Sequence, residues 1–210
     1  LARPWFFVLL GTDYAGKSVL LRTLSAMEPS WQLLSVDEEF LSADQCAVSR
    51  LKSELFREAL PGMGKRYSID FIASMLQTAV VYLRDQIMAA GARQPVIVDS
   101  YYYKLLAKCR LVGANDAVFG WWRALPQPRG ALLLDVDPAT AWARSAAGTR
   151  TNRLEFYGDY VHRESFVRFQ RDLRALMLAE VAHLPLEVLP EADVASTALR
   201  VREAVSRAFA

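Results

Sequence analysis

Gly11-Thr-Asp-Tyr-Ala-Gly16-Lys17-Ser18 sets two glycines, a lysine and a hydroxyl at the spacing G-x-x-x-x-G-K-[ST]. Residues of these types at this spacing can hold a nucleoside triphosphate. The glycines let backbone N–H groups turn inward around an anion, and a helix starting behind them adds the partial positive charge of its N-terminus. Lys17 can then reach the outer phosphates and the Ser18 hydroxyl can ligate Mg²⁺. Gly11, Asp13, Tyr14, Ala15, Gly16, Lys17, Ser18 and Val19 are therefore the expected nucleotide-binding residues. A chance glycine turn is the competing explanation, and it has to reproduce four fixed positions and both flanking elements at once.

Other residues could complete such a site. Asp99 closes the apolar run Pro95-Val-Ile-Val-Asp99, and a carboxylate at a strand end can hold Mg²⁺ or cap the next helix. Arg144, Arg150 and Arg153 lie in or beside a polar stretch at about 146–160. A loop there could fold guanidinium groups over a transferring phosphoryl group and exclude water, although the same composition also suits a solvated loop. Asp37 and Glu38 could orient or deprotonate an acceptor hydroxyl, or simply cap and face water. Tyr101, in the run Tyr101-Tyr102-Tyr103, could stack on a base or pack in the core. Asp137 before Pro138 reads as a helix cap, Trp121 and Trp122 as packing residues, and His162 and His183 have no ligand spacing.

These residues need elements to position them. Pro4 to Leu10 is a continuous apolar run, the pattern of a central strand covered on both faces, and Ser18 to Met27 follows at helical spacing. Further strands are expected at Trp31–Val36, Pro95–Asp99, Ala131–Val136 and Leu186–Leu189. Helices are expected at about 43–60, broken by Pro61-Gly62-Met63-Gly64, and from Phe71 through Ile87, stopped by Gly91. More are expected around 105–111 and 116–124, from Pro138, along Phe166–Leu176 and over about 194–209. Strands alternating with helices imply a doubly wound parallel α/β sheet of about five strands with helices on both faces.

Length and composition set limits. The chain has 210 residues, 53% of them hydrophobic, enough for one domain with a real core. A formal charge of +2 offers no global reason to expect a nucleic-acid partner. The first apolar run is too short to span a bilayer and lacks a basic leader, so no membrane role is expected. Cys46 and Cys109 match no zinc or redox spacing, and a reducing cytoplasm fits them.

Taken together, Phe7-Val-Leu-Leu-Gly-Thr-Asp13 leading into Ala15-Gly-Lys-Ser18, Val96-Ile-Val-Asp99-Ser-Tyr101, and Leu132 to Arg144 followed by Arg150, Arg153 and Glu155 resemble the thymidylate kinase-like family of nucleoside monophosphate kinases. The resemblance runs from Pro4 to about Met177. It implies a P-loop kinase, with ATP and Mg²⁺ as cofactors and transfer of the γ-phosphate to a nucleoside monophosphate. It further implies an acceptor-binding helical region at about 37–90 and a lid at about 146–160. Asp13 would contact the acceptor's sugar hydroxyl, Lys17 and Ser18 would serve the phosphates and metal, and Asp99 would support the metal. Tyr14 stands where some members carry an arginine, which shifts the expected catalytic role to Arg150 and Arg153. Homodimers through long helices are usual in the family.

The chain also departs from the family pattern. Ser100 replaces the arginine that grips the acceptor phosphate, and Gln77 and Arg84 do not align with the family's recognition residues. A nucleoside, another small hydroxylated acceptor, or a non-catalytic nucleotide-binding module are the resulting alternatives.

Overall fold

The computed structural model describes residues 5–41, 45–90 and 94–209. Pro4, the helix start at Ala43 and the stop at Gly91 lie outside the described residues. Five strands form one parallel sheet: β1 (Phe6–Gly11), β2 (Gln32–Leu34), β3 (Val96–Asp99), β4 (Gly130–Asp135) and β5 (Leu186–Pro190), in the order β2-β3-β1-β4-β5. The helices are α1 (Lys17–Met27), α2 (Cys46–Glu54), α3 (Ile69–Ala89), α4 (Tyr101–Leu111), α5 (Gly120–Arg123), α6 (Pro138–Arg144), α7 (Arg163–Glu180) and α8 (Val194–Phe209).

β1 lacks hydrophobic alternation because both of its faces are covered. Phe6, Val8 and Leu10 join the core beneath α3, α4 and α7, which includes Ile72, Leu76, Leu106, Phe169 and Leu173. Phe7 and Leu9 point the other way, against Leu20, Leu21 and Leu24 of α1 and Val201 and Val205 of α8. The sheet therefore has a core on each side, with β1 in its middle. The chain leaves β1 through α1 for the edge strand β2 on one side, returns to β3, and then crosses to β4 on the other side of β1, so a crevice opens at the C-terminal end of β1, where an α/β fold places ligands.

Local chemistry fixes several boundaries. Ser68 caps α3 by accepting from the Phe71 N–H at 3.1 Å, and Asp137 caps α6 by accepting from the Ala139 N–H at 2.7 Å, with Pro138 in the first turn. Four expectations need correction. β2 is only three residues long, and α4 begins at Tyr101 rather than near Leu105. Residues 116–123 divide into a 3₁₀ turn and the single-turn α5. Finally, α2 does not continue to residue 60 as an α-helix. It loosens into a π-type turn at Leu55–Ala59 and then a 3₁₀ turn at Leu60–Gly62, which accommodates Pro61 near its start. Cys109 lies fully buried in α4, where burial pushes its thiol up to about 12.

Candidate active site

The glycine-bearing loop follows β1 directly and ends in α1. Gly16 has φ +95°, a left-handed conformation that suits glycine, and it precedes the first turn of α1. Gly11 is constrained by space instead: a Cβ there would stand 3.1 Å from Ala15 Cβ and 3.2 Å from Leu134 Cβ. Both glycines let the loop wrap tightly beside β4. Lys17 Nζ folds back to 3.5 Å from the Gly11 carbonyl, and Ser18 Oγ donates to Asp37 Oδ2 at 3.0 Å.

The loop separates two cavities. On one side is a cleft of about 440 Å³ lined by Asp13, Lys17, Ser18, Asp37, Asp99 and Lys104, among others. On the other side is a cavity of about 290 Å³ whose walls include Ala15, Gly16, Val19, Arg144 and residues 189–192. Arg144 spans the gap between the loop and the end of β5, donating to the Tyr14 carbonyl at 3.4 Å and to Glu191 Oε1 at 2.7 Å.

Two carboxylates from different strand ends face the cleft. Asp37, after β2, receives Lys52 Nζ on Oδ1 at 2.6 Å. Burial pushes its pKa up, but the Lys52 ammonium and the Ser18 hydroxyl outweigh that and hold it below the usual carboxylate value. Asp99, at the end of β3, accepts from Ser100 Oγ at 2.8 Å and from Ser35 Oγ at 3.3 Å. The β3–α4 link that carries it is strained, with φ +59° at Ser100 and +44° at Tyr101. The Ser100 N–H donates to the Leu9 carbonyl at 2.9 Å, tying the link to β1. Ser18, Asp37 and Asp99 are hard oxygen donors around one cleft, the type of set that Mg²⁺ takes together with phosphate and water.

Asp13 also lines this cleft, with both carboxylate oxygens engaged. Its Oδ1 lies 2.8 Å from both Lys104 Nζ and Lys108 Nζ, Gln170 Nε2 donates to Oδ2 at 3.0 Å, and its own N–H donates to Gln170 Oε1 at 2.9 Å. Burial would raise its pKa, yet the two ammonium groups hold it far below the ordinary range. Glu155 lies 3.6 Å from Lys108 Nζ, and burial together with the Asp13 charge pushes its pKa up. For Lys104, burial lowers the pKa, Asp13 opposes this and neighbouring Lys17 adds to it.

The remaining expected residues divide between the cleft and other surroundings. Tyr14, at φ +59°, donates to the Arg150 carbonyl at 2.7 Å and sits 3.1 Å from Glu155 Oε2, so it fastens the segment at 146–160 to the loop. Arg150 is exposed and does not line the cleft. Arg153 lines a separate groove, where the Gly158 carbonyl, Asp159 at 3.5 Å and the face of Phe156 hold its guanidinium. Neither arginine is brought together with Lys17 and Asp99. Glu38 is exposed in a 3₁₀ turn, whereas Tyr101 lies in the floor of the cleft with its ring edge-on to Phe6 at 5.7 Å.

Lys104, Lys108, Gln170 and Lys52 were not singled out from the sequence. A signal existed for the two lysines: they sit four residues apart on the largely apolar and aromatic run Tyr101–Cys109, just after a strand-end carboxylate. Gln170 similarly interrupts the Phe166, Phe169, Leu173 stripe of α7.

No protein-family model and no curated protein matches the chain. Solved structures do match it. The fold is similar to that of thymidylate kinase from Candida albicans, with a TM-score of 0.64 and 14% identity, covering 99% of this chain and 94% of that one. It is also similar to deoxyadenosine kinase from M. mycoides solved with dCMP and dCDP, with a TM-score of 0.64 and 13% identity, covering 96% and 99%. The same enzyme with bound dCTP matches at a TM-score of 0.62 and 13% identity, over 96% and 99% of the two chains. The chain therefore has the thymidylate kinase-like P-loop fold, a five-stranded parallel sheet flanked by helices.

Proposed function

We propose that the chain is an ATP-dependent phosphotransferase that moves the γ-phosphate to a small acceptor of nucleotide or nucleoside size. The observation that carries this reading is the convergence of Lys17, Ser18, Asp37 and Asp99 on one cleft at the C-terminal ends of β1 to β3. In this reading the loop amides and Lys17 hold the phosphates, while Ala15, Gly16, Val19 and Arg144 border the donor's base on the opposite side of the loop. Ser18, Asp37 and Asp99 would hold Mg²⁺, which when bound neutralises charge on the phosphate oxygens. Lys104 presents a fixed cation to the same cleft, the place that the lid arginines were expected to occupy.

Two acceptor types fit the fold. A nucleoside monophosphate is what the sequence resemblance implies, and thymidylate kinase is among the similar structures. An unphosphorylated acceptor is favoured by one observation: Ser100, where the family carries its phosphate-gripping arginine, brings no charge and spends its hydroxyl on Asp99 at 2.8 Å.

ADP release from Mg-ATP, measured with nucleoside monophosphates, nucleosides and other alcohols, tests the reading. Turnover is expected with at least one class, and Lys17→Ala should lower kcat by about a hundredfold or more with the circular dichroism spectrum retained. Failure of every acceptor would instead favour a non-catalytic nucleotide-binding module. Activity undiminished in Lys17→Ala would end the P-loop reading.

A further inference from the structure

The cleft has two chemically different ends. Lys17, Ser18, Asp37, Asp99 and Lys104 stand at one, and Val36, Phe56, Leu76, Ala79 and Leu105 form the wall of the other. Those five apolar residues and Lys52 also wall a smaller hollow of about 110 Å³ between α2 and α3, closed by Val48, Leu51, Leu55, Met75 and Thr78. The shared wall makes the hollow an annex of the cleft. It is roomy enough to matter: an apolar cavity of about 150 Å³ takes a benzene ring, so this one, adjoining the cleft, takes an alkyl branch or the edge of a ring.

Among the described residues, the polar groups of the annex are already used. Thr78 Oγ1 donates to the Met75 carbonyl at 2.7 Å. Lys52 Nζ donates to Asp37 Oδ1 at 2.6 Å and to the Val36 carbonyl at 3.2 Å, which leaves only its methylene stem as wall. On α3, Gln77 Oε1 accepts from Trp122 Nε1 at 3.0 Å and Arg84 Nη2 pairs with Asp85 at 2.7 Å. The Arg84 Nε and the Tyr101 hydroxyl are buried without a hydrogen-bond partner among the described residues, but neither residue lines the annex. A ring amide pressed against this wall would lose its water and gain no partner, which costs binding about tenfold per group. A methylene in the same place gains about fourfold.

Building on the phosphotransferase reading, we infer that the acceptor is an unphosphorylated alcohol with a hydrocarbon body, its hydroxyl at the Asp37 and Asp99 end and its apolar part in the annex between α2 and α3. In the transfer the acceptor oxygen forms a bond to the γ-phosphorus of ATP, and the bond from that phosphorus to the β,γ-bridging oxygen breaks. ADP leaves with the electron pair, and the hydroxyl proton passes to water. No redox partner is required.

The test uses the whole chain, with the ATP analogue AMP-PNP and Mg²⁺ for binding by calorimetry and with Mg-ATP for turnover. Benzyl alcohol, 2-phenylethanol and 4-phenylbutanol are the probes, compared with thymidine and thymidylate. Affinity for the AMP-PNP-bound protein and kcat/KM are expected to rise severalfold with chain length. Ala79→Leu, which fills the annex without burying a polar group, should cut both at least about tenfold for the longest alcohol and leave AMP-PNP affinity within about twofold. The inference is overturned if the alcohols do not bind, if chain length or Ala79→Leu has no effect, or if thymidylate is phosphorylated better than every alcohol. Absence of AMP-PNP binding would instead remove the phosphotransferase reading, and alcohol binding alone would then decide whether the annex is a ligand site.

Discussion

Asp13 carries two ammonium groups at 2.8 Å on one carboxylate oxygen and an amide on the other, all largely out of water. This arrangement holds the loop in shape. Because the folded-state pKa of Asp13 is depressed, its contribution to stability is fully present above the unfolded carboxylate value, near pH 4, and is lost as pH falls through the folded value. Asp13→Asn leaves Lys104 and Lys108 facing each other with only Glu155, 3.6 Å from Lys108 Nζ, as counter-charge. It should cost about 3–5 kcal/mol at pH 7, and the deficit relative to the unaltered chain should shrink as pH drops below about 4. Urea unfolding at pH 7 and pH 3 measures both effects. An acceptor hydroxyl at Asp13, the contact that the family resemblance implies, would have to compete with these bonds.

At the scale of elements, β4 and α7 are joined by a two-pronged contact: Arg174 Nε and Nη2 each donate to Asp135 at 2.7 Å. The pair is partly exposed, so its value lies near that of a surface bridge with good geometry. Asp135→Ala is expected to cost about 1 kcal/mol in thermal unfolding. The elements themselves were mostly legible in the sequence, since β1, α1, α3 and β3 announce themselves by uninterrupted apolar runs or three- and four-residue spacing. β2 and the start of α4 were less so. A three-residue strand has too little pattern to mark its ends, and nothing in the run Tyr101-Tyr102-Tyr103 shows that the helix begins there, directly after the left-handed turn at Ser100. The site was legible where it is local, from Gly11 to Ser18. It was illegible where residues distant in the chain meet, as with Gln170 and Asp13, 157 positions apart. The arginines failed to reach the cleft for a similar reason: composition shows a basic stretch, but not that Gly158 and Asp159 hold Arg153 locally.

For the molecule as a whole, alternate side chains of β1 anchor the two cores, so neither half can loosen without disturbing the same strand. One cooperative transition is expected, and Cys109 offers a way to see it. Its thiol is fully buried and pushed up to about 12, on the helix that supplies Lys104 and Lys108. Iodoacetamide should therefore label Cys109 at the rate of global opening, with a urea dependence that follows tryptophan fluorescence. Labelling located by peptide mass, and well ahead of the fluorescence change, would reveal that α4 detaches early. The chain thus carries an internal gauge on the helix that braces its phosphate loop, so a bound ligand that steadies that helix can be detected by slowed alkylation without any knowledge of what the ligand becomes.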